Sequence, residues 1–122
     1  MARVKEDPIR EQRIENEVIV DAYGPEEQAT GWYCYLDAKL RFPFPATCIA
    51  ADVASPLKKG ETVEVRRMAP EDSCAAGMLV LIQWQGRKLA LPLSQLRAAG
   101  ADEATVEAIG DWQYWVKRGY CF

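Results

Sequence analysis

Two prolines within four residues, Phe42-Pro43-Phe44-Pro45, divide this chain into two regimes. Each proline lacks a backbone donor and fixes its own φ near −65°, so no helix runs through both. Each also steers the residue before it toward extended backbone. Upstream, apolar residues recur at steps near four. Downstream they alternate with a period of two. The change of period predicts an α+β chain, helical first and strand-rich afterwards.

The helical part has its own break. Pro8 suits the first turn of a helix, and Ile14, Val18 and Ala22 then fall on one face. Gly24-Pro25 ends this helix near Tyr23. Pro25 suits the first position of the next, with Glu26 and Glu27 at its positive end. The second helix is expected to reach about Arg41, with Ala29, Tyr33, Leu36 and Leu40 on one face and Trp32 beside it. So short a turn predicts a helical hairpin over residues 9–41. Residues 1–8 read as a polar, frayed lead-in.

After Pro45 the alternation Thr47, Ile49, Ala51, Val53 predicts a half-buried strand. Lys58-Lys59-Gly60-Glu61 reads as a turn, and Val63 and Val65 mark a second strand. Ala69 to Gly77 is a loop, and Met78 to Trp84 reads as a central apolar strand. Gln85-Gly86-Arg87 turns tightly into Lys88 to Leu91, and Pro92-Leu93-Ser94-Gln95-Leu96 has the look of one 3₁₀ turn. This outline resembles a small SH3-like β-barrel over residues 46–96. A last helix is expected over residues 102–118, capped by Asp102 and stopped by Gly119. Its inner face is expected from Val106, Ile109, Trp112 or Gln113, and Val116. A length of 122 residues suits a single domain over 1–122.

Composition narrows function. The chain has no histidine, which removes the commonest general base, the usual partner of nucleophilic Ser or Cys, and the usual zinc ligand. The net charge is −3 and the pI about 5.0. Lys and Arg are scattered, which argues against nucleic acid as a partner. Cys34, Cys48, Cys74 and Cys121 have no zinc-knuckle spacing and read as small buried hydrophobes. The first residues carry no apolar run and no stretch approaches membrane-spanning length, so a cytoplasmic, reduced protein is expected.

The carboxylates are the candidate chemistry. No Asp-x-Asp-x-Asp-Gly loop is present, so an EF-hand is excluded, and any cation site is built from separate segments. Glu26 and Asp37 share one border of the second helix but stand about 16 Å apart at the standard rise, too far for one ion. Glu17 with Asp21, and Glu107 with Asp111, are each four apart, and Glu103 lies one turn before Glu107. Such pairs repel mildly and are balanced by a metal or by Lys and Arg. Asp21 falls near the apolar face, where a carboxylate is capping, paired or metal-bound. Asp37 stands four residues before Arg41, a local ion-pair partner. Pro70-Glu71-Asp72-Ser73 offers oxygens for a weak second site, or is simply a solvated loop. Trp32, Tyr33, Tyr35, Trp112, Tyr114 and Trp115 lie at core-like spacing. Were they exposed, they would favour an SH3-like protein-interaction module with no physiological metal. An enzyme would need two converging carboxylates of raised pKa.

Five blocks carry a closer likeness: Asp21 to Gln28, Gly31-Trp32-Tyr33, Phe42-Pro43-Phe44, Pro92 to Leu96 and Asp111 to Val116. In order and spacing they resemble the small cyanobacterial calcium-binding protein family, whose type member is a calcium-sequestering regulator of heterocyst differentiation. The resemblance spans Ile14 to Phe122. It implies a cytoplasmic, non-enzymatic protein that binds and buffers Ca2+ through surface carboxylates. Asp21, Glu26, Glu27, Asp37 and Asp111 stand in family-like positions, and Asp37 is the leading ligand candidate. Cys74-Ala75-Ala76-Gly77 follows Glu71-Asp72 where further acids would be expected. Fewer anionic oxygens mean weaker calcium binding at that loop.

Overall fold

The computed structural model describes residues 5–49 and 57–120. Helix α1, Pro8–Arg13, starts at proline, as expected, behind Asp7. The Asp7 carboxylate accepts from the amides of Ile9 at 3.1 Å and Arg10 at 3.2 Å. The chain then widens into a π-helical turn, Ile14–Val18, closed by the Ile19 amide on the Ile14 carbonyl. This turn is where the helical expectation fails. The extra residue in the ring ends the helix at Val18, so Asp21 lies exposed in the connecting turn, in the left-handed region with φ 58°, rather than near the apolar face.

Helix α2, Pro25–Lys39, follows, and it packs against the π-helical turn rather than along α1, so the hairpin expected over residues 9–41 closes through Ile14–Val18. Gly31 sets their separation. A Cβ placed there would collide with the Val18 carbonyl oxygen and crowd its carbon at 3.3 Å. The strands are β1, Phe44–Cys48; β2, Thr62–Met68; β3, Leu79–Trp84; β4, Arg87–Pro92; and β5, Leu96–Ala98. β1 starts at Phe44, earlier than expected, and Ala51 and Val53 lie outside the described residues. A bulge between Val65 and Arg67 sets Arg66 and Arg67 together on the solvent side of β2. The β3–β4 hairpin closes through Gln85 and Gly86, both at positive φ, as a two-residue primed turn requires. The 3₁₀ turn Leu93–Gln95 then leads into β5.

All pairings are antiparallel, in the order β4-β3-β2-β1-β5. Among the described residues no ladder joins β4 to β5, so this is an open five-stranded sheet and the closed barrel expected over residues 46–96 is not formed. The short β5, only three residues long, offers too little edge to close the ring. Helix α3, Glu103–Lys117, is capped by Asp102, whose carboxylate accepts from the Thr105 amide at 3.0 Å.

One apolar core joins helices and sheet. It centres on Trp32, Trp112 and Trp115, whose ring centroids lie 5.0–5.6 Å apart. These rings rotate both helices from the faces read in the sequence. α2 buries Trp32, Tyr35 and Leu36, leaving Tyr33 half-buried. α3 buries Thr105, Ala108, Ile109, Trp112 and Trp115, leaving Val106 and Val116 exposed. An indole removes more apolar area from water than a valine, so the tryptophans decide the orientation.

Replacing Gly31 by alanine is expected to lower unfolding stability by about 1–3 kcal/mol through overpacking. Gly77, with open space around its Cβ position, serves as control. Gly77→Ala is expected to stay within about 0.5 kcal/mol, with both read from urea melts.

Candidate metal centre

The carboxylates fall into three places. Glu26 projects from the first turn of α2, and facing it is a 3₁₀ turn, Glu71–Cys74, in the loop between β2 and β3. This turn packs on α2, and the Thr30 hydroxyl donates to Glu71 Oε2 at 3.2 Å. Glu26, Glu71, Asp72 and Thr30 line one cleft of about 550 Å³ with Pro25, Ala29 and Ala75. Glu26 thus meets the loop acids that the sequence suggested only for a separate, weak site. The buried thiol of Cys74 anchors the turn, contacting the Leu79 amide at 3.4 Å.

On the other side of Glu26 a shallower cleft of about 520 Å³ is lined by Asp21, Glu26, Glu27 and Cys34, among others. Glu27 has a structural task. Its Oε2 accepts from the Tyr23 amide at 2.6 Å, and so it tethers the turn before α2. Gly24 is the N-cap and no side chain caps it, so the capping role open to Asp21 is not used.

Asp37 lies exposed at the far end of α2, on the border that runs through Glu26, Thr30 and Tyr33. Arg41 does not pair with it: the Arg41 guanidinium turns to Asp102 at 3.6 Å, because helix α2 ends at Lys39 and the chain leaves extended. Tyr33 sits between the acids. Burial raises its hydroxyl pKa above the usual tyrosine value, and the charges of Asp37 and Glu71 add to the rise. Asp37 and Glu71 therefore act on the same neighbourhood.

Asp111 belongs elsewhere. It is fully buried. Its Oδ1 accepts from Arg10 Nη1 at 2.6 Å and Arg13 Nη2 at 2.7 Å; its Oδ2 accepts from Arg13 Nε at 2.8 Å and the Tyr35 hydroxyl at 2.9 Å. Arg13 also reaches Glu107 at 3.7 Å. The Glu107–Asp111 pair is thus neutralised by arginine, one of the two outcomes its spacing left open, and a cation at Asp111 would have to displace two guanidiniums. Gly110 leaves room for this, because a Cβ there would press on the Arg10 guanidinium at 2.9 Å. The sequence does not announce these arginine partners. Their spacing, Arg10 and Arg13 on one helical face, was the available signal.

Among the described residues, no three of the acids and cysteines stand close enough to grip one metal ion as they lie. The donor chemistry nevertheless fits a hard cation. Glu26, Glu71 and Asp72 are exposed carboxylates around one opening, with a hydroxyl beside them. Long, solvated glutamates reorient at little cost, and calcium accepts water and irregular geometry in its shell. Trp32, Trp112 and Trp115 are 0%, 4% and 5% exposed, which removes the main support for the rival use of the molecule as a docking module.

Carboxylates gathered from a helix start and a separate turn, outside any EF-hand loop and on a scaffold with no exposed tryptophan platform, describe a small cation-binding protein. The chain belongs to the CcbP family, a calcium-binding family whose model matches residues 12–116. It is similar to the crystal structure of Anabaena CcbP, with 45% identity and a TM-score of 0.88 over 100% of both chains. It is also similar to a calcium binding protein in the calcium-binding form, with 44% identity and a TM-score of 0.87, again over 100% of both. No curated protein matches the chain.

Asp111→Asn is expected to destabilise the fold by about 2–4 kcal/mol, because it removes the buried charge on which two arginines converge and turns an amide donor toward their guanidiniums. Glu107→Gln, at the exposed rim, should change stability by less than about 0.5 kcal/mol. Burial, and then the bond to Asp111, raise the Tyr35 pKa. The folded protein therefore keeps a proton that the unfolded chain releases, so stability falls as pH climbs above about 10. Tyr35→Phe is expected to flatten part of that fall in melts between pH 9 and about 11.

Proposed function

We propose that this protein binds calcium through the acids flanking the start of α2 and buffers the ion without catalysing a reaction. The observation that carries this reading is the packing of the Glu71–Cys74 turn against α2, which puts Glu26, Glu71 and Asp72 around one cleft. Glu26, Glu71 and Asp72 would hold the ion, with the Thr30 hydroxyl and water completing an oxygen shell. Asp21 and Glu27 flank the same helix start and add negative potential. Asp37 is a separate, exposed position beside Tyr33, and it would bind an ion of its own with water as the main partner. Asp111 is left out of the ligand set, because its lone pairs are taken by four donors.

The strand order, with a 3₁₀ turn before β5, supports an SH3-like arrangement opened between β4 and β5. The free thiols of Cys34 and Cys74 suit a reducing, cytoplasmic setting. Among the described residues no helix is long and apolar enough to cross a membrane. One core joining all the layers supports reading the chain as one domain.

Calorimetric titration with calcium and, separately, magnesium tests the reading. Calcium is expected to give the stronger binding. At a hundredfold excess over Kd it should add about 2.7 kcal/mol to unfolding stability. The double variant Glu26→Gln, Asp72→Asn is expected to weaken calcium at least about tenfold, since affinity follows the charge of the ligands. Wild-type heat with no loss in the double variant would place the ion at Asp37 or at Asp21 and Glu27 instead. No heat and no rise in Tm with calcium would overturn binding altogether.

A further inference from the structure

We propose that α1 is a detachable strap, latched to α3 by charge and hinged at the π-helical turn, whose opening decides whether Asp111 meets water. Helix α1 lacks an apolar anchor. None of its residues is buried, and Ile9 is 72% exposed. Apolar burial, which holds every other helix here, contributes little to its docking.

Charge and hydrogen bonds hold it instead. Arg10 and Arg13 grip Asp111, and Arg13 reaches Glu107 at 3.7 Å. On the other side Glu11 accepts from the Tyr114 hydroxyl at 2.7 Å and the Tyr120 hydroxyl at 3.2 Å, with Arg118 at 4.0 Å. The Asp7 amide donates to the Tyr114 hydroxyl at 2.8 Å. The contacts that bind strap to α3 are thus hydrogen bonds and ion pairs. Arg10 and Arg13 keep 31% and 18% of their side-chain surface in water, so counterions can receive them when they let go.

The movement has a defined end. Ile14 and Val18 are 3% and 4% exposed, and the Val18 carbonyl sits against Gly31. These residues stay with the core while Pro8–Arg13 lifts. The π-helical turn lies between the two behaviours, where a helix most readily changes direction. Segments with few apolar contacts open at lower free energy than the whole fold. Opening rehydrates Asp111 and both arginines together, so no buried charge is left unpaired.

Amide hydrogen exchange on the intact chain, read residue by residue by NMR, tests this. The amides of Glu11 to Ile14 are compared with those of Trp32 to Leu36 and Ala108 to Trp112, in low salt and in 1 M NaCl, where the Debye length shrinks to about 3 Å. The strap amides are expected to exchange several-fold faster in high salt, and the others to stay within about twofold. Arg10→Gln, which keeps Arg13 on Asp111 and so preserves the fold, is expected to speed the strap amides on the order of tenfold in low salt. Strap protection equal to that of α3 would overturn the proposal. So would strap exchange that is fast but indifferent to both salt and Arg10→Gln, which would mark simple fraying.

Discussion

A single carboxylate joins the three helices. Asp111 lies on α3, takes two arginines from the N-terminal helix and a hydroxyl from α2, and is closed off from solvent. A buried anion is tolerable only when its lone pairs are fully satisfied, and here both oxygens are. Several other features follow from meeting that demand. Gly110 is bare so that a guanidinium can lie on α3. Tyr35 turns inward, and α2 rotates with it to bury Trp32 and Leu36. The tryptophans set how α2 and α3 face the core, and this cluster joins α1 to them.

The sheet layer was the more legible half of the fold. Val63, Val65 and the run Met78 to Trp84 alternate or cluster in ways only strands explain, and Gln85-Gly86 announces its turn by glycine chemistry. The helices were legible in number and rough extent but not in orientation. Periodicity ranks Val106 and Val116 with Ile109, whereas packing ranks ring area first and turns the tryptophans inward. The π-helical turn had no sequence signal at all, and one residue of extra width displaced Asp21 from a face to an exposed bend. Closure of the sheet was likewise invisible, because it depends on how long β5 runs rather than on its pattern.

The acids were found by type but not by grouping. Spacing along α2 showed that Glu26 and Asp37 cannot share an ion, and the structure keeps them apart. What spacing cannot show is which distant turn arrives at a helix end. Glu71 and Asp72 lie more than forty residues from Glu26 in the chain, and they meet it only because Cys74 and Thr30 fasten the turn to α2. Asp111 illustrates the converse. A carboxylate in a family-like position reads as a ligand candidate, and the sequence does not show that two arginines converge on it. The molecule thus keeps two kinds of acid: one set in the open around α2, and one sealed within the helical layer.

The tryptophan cluster has an optical consequence. Trp32, Trp112 and Trp115 lie within 5.6 Å of one another by ring centroid and are shielded from solvent. Rings so close exchange excitation energy, so their emission acts as one chromophore at the seam between α2 and α3. None of the three lines the clefts around Glu26. Beside the separate signal of Trp84 on β3, the light of this cluster therefore reports the closeness of two helices, and is nearly blind to what sits among the acids.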